Sequence, residues 1–159
     1  FLGYYNRPEV NRELITDDGW FHTGDLMKTD EDNCFYFIGR KKDMIRRSHE
    51  NISAVEVEAA LEHHPAIAEA AVAPVPDDFR GEEVKAIILL DEATDEAPEP
   101  DEIIAFAAGN LARFKVPRYI EFRTELPRTA SGKIAKARLK SEADPLDGVY
   151  DGEALAWNS

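Results

Sequence analysis

Residues 127–135, Pro-Arg-Thr-Ala-Ser-Gly-Lys-Ile-Ala, set Lys133 directly behind a glycine in a run of small side chains. A lysine so placed is able to reach a phosphate. Ser131 and Gly132 leave room for a substrate to approach the backbone, and an ammonium is a compact point charge suited to phosphate oxygens. The spacing is not that of a phosphate-binding loop, which needs two glycines separated by four residues and then Lys and Ser or Thr, so nucleotide hydrolysis of that type is disfavoured. Taken alone, the segment favours a solvated lysine after a turn.

Other segments change that reading. Upstream, in order, stand Gly3-Tyr4-Tyr5-Asn6-Arg7-Pro8-Glu9, Gly19-Trp20-Phe21-His22-Thr23-Gly24-Asp25-Leu26, Gly39-Arg40-Lys41-Lys42-Asp43-Met44-Ile45, Glu50-Asn51-Ile52-Ser53 and Phe114-Lys115-Val116-Pro117. With the Lys133 segment they make the chain, from about Gly3 to about Lys140, resemble the carboxy-terminal part of the adenylate-forming (ANL) superfamily. That superfamily comprises acyl- and aryl-CoA synthetases, adenylation domains of peptide synthetases, and luciferases.

The resemblance implies an α+β fold: a small mobile carboxy-terminal domain with a short, mainly antiparallel sheet flanked by helices, preceded by a remnant of a large amino-terminal domain. Residues 1–41 would end the large domain, Lys42 would be the hinge, residues 42–140 would form the small domain, and residues 141–159 a polar tail. It also implies two half-reactions. A carboxylate attacks the α-phosphate of ATP to give an acyl-adenylate and pyrophosphate, and the thiol of coenzyme A then displaces AMP as the small domain rotates. In-line phosphoryl displacement is catalysed largely by positioning and charge stabilisation, which suits a mobile lysine.

Residue by residue, Lys133 matches the family's adenylation lysine, and Asp25 and Arg40 match the residues that hold the ribose hydroxyls. A carboxylate accepts from paired hydroxyls and a guanidinium donates in a fixed fork. Without the resemblance, Asp25 reads as a turn residue, Arg40 as a surface charge after a strand, and Lys42 as one of four adjacent charged residues. One departure stands out. Where many relatives have two glycines before Glu-Asn-Ile, this chain has Ser48-His49-Glu50. In the family that loop borders the pantetheine channel, so either His49 tolerates the glycine conformation there or the second half-reaction is altered. Core packing accounts for Trp20 and Phe21. The pair His63-His64 points to different faces of a helix end and makes no metal site.

Composition bounds the picture independently. The 159 residues begin with Phe1 and bury one good core rather than two. No apolar run approaches the roughly 20 residues of a membrane span and no signal segment stands at the start, so a cytoplasmic protein is expected. Cys34 is the single cysteine and lies in an apolar run, which predicts a buried, inert thiol. The net charge of −13 argues against general affinity for nucleic acid or anionic membranes. Its distribution is uneven: residues 39–50 carry +3 and residues 113–140 carry +7, leaving −23 on the rest. Two basic patches on an acidic body suit a small polyanion such as ATP or CoA, or else a solvated surface with local ion pairs.

The elements that must position these residues are legible in outline. A loop-rich segment runs to about Leu26 and an apolar strand occupies 34–38. Ser53-Ala54-Val55-Glu56 is a capping box, with Ile52 and Val57 as its hydrophobic staple, opening a helix to about Glu62. Strands at 67–73 and 84–90 are joined through Pro74-Val75-Pro76-Asp77-Asp78. An acidic loop over 91–102 leads into a helix over 101–112, residues 119–122 form a further strand, and 141–159 a loosely ordered tail.

The function expected is that of the carboxy-terminal domain of an AMP-forming acid–CoA ligase, acting with the missing amino-terminal domain of the same polypeptide on a carboxylic acid. The cofactors are ATP, Mg²⁺ at a site outside this chain, and coenzyme A. The isolated chain would be inactive, because the ATP-phosphate loop and acyl pocket lie upstream. A non-catalytic binding or regulatory module of the same fold, and the adenylation domain of a peptide synthetase, are the alternatives. The pairing of Arg128–Lys133 with Glu50-Asn51-Ile52 looks most like small-acid or carnitine-type CoA ligases.

Overall fold

Two strands buried on both faces, within residues 67–90, set the centre of the fold. In the computed structural model, which describes residues 1–94, 96–141 and 145–158, Ile67–Asp77 (β5) and Gly81–Leu90 (β6) pair as one long antiparallel hairpin from Ile67↔Leu90 to Asp77↔Gly81. Side chains of a strand point to opposite faces in turn. Ala70, Val72, Val84, Ala86 and Ile88 therefore feed one core, and Ala71, Ala73 and Ile87 feed a second, smaller one.

The chain divides into two units, Phe1–Lys42 and Asp43–Ser159. In the second, Met44–Arg47 (β3) and Glu50–Ser53 (β4) form a tight hairpin, and Tyr119–Arg123 (β7) lies parallel to β6. The sheet order is β4-β3-β6-β7-β8-β9, where β8 is Tyr150–Asp151 and β9 is Ala156–Trp157, with β5 also paired to β6. The helices Ala54–Leu61 (α2) and Pro100–Asn110 (α3) cover the larger core through Val57, Leu61, Ile103 and Ala107. This is a mixed α/β domain with a mostly antiparallel sheet, as the sequence implies.

Local chemistry explains the boundaries. Ser53 caps α2, its Oγ accepting from Glu56 N at 3.4 Å, while Ile52 and Val57 are both fully buried. The prolines at 74 and 76 do not end β5. Strand N–H groups face alternate sides, and on β5 the outward ones belong to residues 70, 72, 74 and 76. Val72 N donates to Glu58 of α2 at 2.8 Å and Ala70 N to Glu62 at 3.3 Å. At 74 and 76 proline has no N–H to satisfy, so the strand continues through both as an edge.

The tail expected over 141–159 is corrected by the structure; of that range, 142–144 and 159 lie outside the described residues. Val149, Tyr150 and Asp151 are buried, β8 extends the sheet from β7, and Lys85 Nζ donates to Pro145 O at 2.5 Å. Charge does the anchoring that hydrophobicity does not announce. Arg118 holds Asp151 bidentately, Nε to Oδ1 at 2.9 Å and a terminal nitrogen to Oδ2 at 2.7 Å, and also reaches Asp77 and Glu153. Glu83, fully buried, is clasped by Arg47 and Arg80, and Arg80 passes on to Glu153.

The first unit holds a short helix, Pro8–Leu14 (α1), where a loop was expected, and a two-stranded sheet of Asp25–Thr29 (β1) and Phe35–Arg40 (β2). Proline at the helix start and Glu9 in its first turn are the signal for α1. Asp30 closes the β1–β2 turn by accepting from the backbone of Asp32 and Cys34 and from the Tyr36 hydroxyl. Two expectations fail here. Cys34 is exposed rather than buried, and Trp20, at 73 %, is not core. Phe35 and Phe37 are exposed as well, because a two-stranded sheet with apolar side chains on both faces has no second layer within its own unit.

The Arg118 cluster makes a pH prediction. Asp151 is held below the usual carboxylate range chiefly by Arg118, Glu153 chiefly by Arg80, and Asp77 chiefly by the Arg80 backbone N–H. A carboxyl depressed in the folded state adds stability above its unfolded pKa that is lost as pH falls through the folded value. Urea unfolding should therefore show stability dropping below about pH 4. Asp151→Asn should cost roughly 2 kcal/mol at pH 7 and flatten that acid limb; an unchanged acid limb would count against the assignment.

Candidate functional site

Lys133 is carried on a small hairpin formed by residues 127–135. Arg128 and Ile134 make a β-bridge, Thr129 N donates to Lys133 O at 2.8 Å, and Gly132 N donates to Thr129 O at 2.9 Å. Gly132 has φ +82°, so the connection is a turn closed by a glycine bulge, the arrangement of three-residue hairpin loops. Thr129 Oγ1 and Ser131 Oγ are 3.0 Å apart across it. The hairpin is anchored by Ile134, which packs with Leu126 and with Leu139 of Lys136–Lys140 (α4) against Ala71, Ala73 and Ile87 of the sheet. Alternation then turns the side chain of Lys133 outward. It is exposed, and among the described residues its ammonium has no hydrogen bond or ion pair.

Two ion pairs flank this lysine. Arg128 donates to Gly132 O at 3.1 Å and to Glu69 at 2.7 Å, and Lys136 donates to Glu58 at 2.7 Å. Burial pushes the Glu58 carboxyl up from its ordinary value, with Lys136 opposing. An open depression of about 1030 Å³ at the hairpin base is lined by Phe122, Arg123, Leu126, Arg128 and Arg138. Arg123 and Arg128 there are already paired with Glu121 and Glu69, so it is not a preformed anion site.

Asp25 and Arg40 are brought together by register: they face each other at the ends of β1 and β2. Arg40 Nε lies 3.0 Å from Asp25 Oδ1, an ion pair only, and this buried oxygen accepts no hydrogen bond among the described residues. Closed off from solvent, this oxygen faces the Arg40 charge, and the Asp25 side chain as a whole is 20 % exposed. The Arg40 guanidinium stays half-exposed, beside an open pocket of about 490 Å³ lined by His22, Thr23, Gly24, Asp25 and Lys41. Lys42 lies in a 3₁₀ turn, Lys41–Asp43, and is the last residue of the first unit.

Ser48 and His49 form the two-residue β3–β4 turn, followed by Glu50, and all three are exposed. The left-handed φ there, +56°, belongs to Ser48 and not to His49. His63 Nδ1 lies 2.5 Å from Ala59 O, and His64 packs edge-on against Phe106. Among the described residues no group of three or more His, Cys, Asp or Glu side chains is disposed to hold a metal, and no helix is long and apolar enough to cross a membrane.

Comparison with known proteins fits this geometry. Residues 56–133 match the AMP-binding enzyme C-terminal domain. The chain is 42 % identical over 140 residues, 88 % of its length, to a crotonobetaine/carnitine–CoA ligase of Proteus mirabilis. Over that stretch the chain is homologous to the carboxy-terminal portion of AMP-binding acyl-CoA ligases. It spans 27 % of that relative's length. Among solved structures, an o-succinylbenzoate CoA synthetase of Bacillus subtilis in complex with its acyl-adenylate intermediate superposes with a TM-score of 0.80 at 33 % identity, over 88 % of this chain and 28 % of that one. ATP-bound MatB of Rhodopseudomonas palustris gives 0.77 at 33 % identity, over 87 % and 27 %.

Sequence motifs singled out Lys133, Asp25 and Arg40 but missed the side chains that fasten the Lys133 hairpin. Glu58, Glu69 and Lys136 carry no motif and Arg128 stands out only as part of the Lys133 segment; the fold pairs them. Gly132 has open space where a Cβ would stand, so Gly132→Ala meets backbone cost and no clash. It should lower unfolding free energy by about 1 kcal/mol in urea melts; a loss several-fold larger would show that the turn is under further strain.

Proposed function

We propose that this chain works as the carboxy-terminal domain of an AMP-forming acid–CoA ligase and supplies Lys133 for adenylation of a carboxylic acid. The observation that carries the reading is the exposed ammonium of Lys133, without a partner among the described residues and presented on a glycine-bulge hairpin anchored through Ile134. A free ammonium delivers its charge to phosphate and carboxylate oxygens without first breaking a pair, and a preoriented donor is the form of stabilisation that phosphoryl displacement uses best.

Asp25 and Arg40 would hold the nucleotide ribose. Asp25 lines the open pocket with its carboxylate partly exposed, and Arg40, paired to it, has its guanidinium half-exposed. ATP supplies the activated phosphoryl group and coenzyme A the thiol; Mg²⁺ and the acyl pocket are assigned to the large domain. Lys42, between the two units, would be the hinge about which the small domain rotates. The Ser48-His49-Glu50 turn would border the thiol channel. Its left-handed residue is Ser48, so His49 is not forced into the glycine conformation, which weighs for a working second half-reaction over a non-catalytic module.

The partner of this chain in the reading is a large amino-terminal domain. Met27, Phe35, Phe37 and Trp20 are exposed on the first unit, the surface such a domain would cover. The names of the relatives point to a small acid as substrate. ATP and CoA are intracellular, so a cytoplasmic location goes with this function.

The test is acid-dependent pyrophosphate exchange by the polypeptide expressed from its complete reading frame, across a panel of carboxylic acids. Lys133→Ala should slow exchange by about 10²–10³-fold, and Asp25→Ala should weaken ATP binding by roughly 10–100-fold. Exchange indifferent to Lys133, or calorimetric binding of ATP to residues 1–159 alone as tight as to the complete polypeptide, would overturn the assignment.

A further inference from the structure

The hairpin that carries Lys133 is fastened on both legs by ion pairs as well as by Ile134 and Leu139. On the leg before the turn, one guanidinium nitrogen of Arg128 donates to Gly132 O at 3.1 Å and the other to Glu69 Oε1 at 2.7 Å. On the leg after it, Lys136 Nζ donates to Glu58 Oε2 at 2.7 Å, and the other oxygen of Glu58 accepts from Val72 N at 2.8 Å. Both fastenings end on β5, at Glu69 and at Val72.

The Arg128–Glu69 pair is partly exposed, 42 % and 35 %. Pairs of that kind contribute about 0–1 kcal/mol to stability. A hairpin already held by half-buried Ile134 and buried Leu139 does not need it to fold. Its geometry does something else: the Gly132 carbonyl belongs to the peptide unit that joins Gly132 to Lys133. Holding that oxygen fixes the direction in which Lys133 leaves the turn. Only a planar fork with several donors serves this carbonyl and a carboxylate together, which a lysine ammonium on its flexible stem does not match.

We propose that Arg128, oriented by Glu69, is a positioning residue for Lys133 in the adenylation step, with Lys136–Glu58 holding the opposite leg. The proposal rests on the role given to Lys133 above. Arg128 touches no reacting atom. It acts through the Gly132 carbonyl, and its contribution is selective for the half-reaction in which Lys133 is engaged.

In the complete polypeptide, R128K and E69Q are compared with K133A in pyrophosphate exchange and in thioester formation from supplied acyl-adenylate. Exchange should fall about 10–100-fold in kcat, the scale on which small displacements of a catalytic group act. The KM for ATP and the thioester rate should stay within about twofold. The charge-exchanged double variant R128E/E69R restores the ion pair but not the donor to Gly132 O, so exchange should remain low while the melting temperature recovers. In the 159-residue chain, R128K should speed amide exchange at Thr129 and Gly132 about tenfold with β6 amides still protected. Equal losses in both half-reactions, full recovery in the double variant, or normal exchange in R128K where K133A is inactive would each overturn the positioning role. Normal exchange in K133A would instead remove the reading beneath it.

Discussion

The outer edge of β5 is the constraint on which the rest of the second unit depends. A strand at the rim of a sheet carries N–H groups that must be satisfied or they invite pairing with another chain. Here the four outward positions are treated in two ways: the N–H groups of Ala70 and Val72 are taken by Glu62 and Glu58, and positions 74 and 76 are proline. That fixes α2 against the edge. Glu58 then stands at the boundary between the two faces of the sheet, with one oxygen on the β5 backbone and the other on Lys136. Removing it would strand a backbone donor and a lysine at once. Its burial raises its pKa, so the carboxylate is costly to charge, and the lysine is what offsets that cost.

This arrangement divides labour between the faces. The larger core, under α2 and α3, is built mainly on Ile, Val and Leu, with alanines and Tyr150 between them, and supplies most of the buried apolar surface. The smaller one is made of alanines on β5 with Ile87, Leu126 and Leu139, and Ile134 packs against it. Small side chains on the sheet let the 127–135 hairpin lie close to the strand, and alternation at Ile134 turns Lys133 to solvent. The candidate catalytic side chain is therefore mobile at its tip and fixed at its root. A lysine that must leave solvent for a phosphate benefits from both, since its root need not be ordered at the moment of reaction.

Much of this was legible in the residues. Ser53 with Glu56 marked the start of α2, the apolar runs marked β5 and β6, and the Gly-Lys step marked the Lys133 turn. What escaped had few apolar side chains to announce it. β8 is two residues long and is held by Arg118 on Asp151, and α1 is a seven-residue helix with no buried side chain, opened by proline. Pro74 and Pro76 read as a linker because local rules say that proline interrupts strands; tertiary position overrides them when the missing N–H would have faced outward. Cys34 and Trp20 read as core because apolar runs are normally covered, and in the first unit they are not. In the candidate site, residue identity singled out Asp25, Arg40 and Lys133 as expectations and Arg128 as part of the Lys133 motif, whereas Glu58 and Glu69 gain their partners only from the fold.

The β3–β4 turn shows why a motif departure has to be weighed by position. Ser48-His49 stands where the family resemblance implies a pair of glycines, and glycine is needed for one of two reasons: a left-handed φ or the close approach of another chain. The first falls on Ser48 alone, at φ +56°, where a small polar side chain bears a cost of about 1–2 kcal/mol. His49 sits at an ordinary φ and bears none. The turn is also held from outside, because Ser48 N donates to Arg80 O at 2.7 Å, and Arg80 is itself locked to Glu83 and Glu153. The strain at Ser48 is thus balanced by the same charged network that holds β8 in place. What remains of the departure is the second reason alone: an exposed imidazole stands where the resemblance implies a glycine, so its consequence lies in what approaches the turn and not in the turn itself.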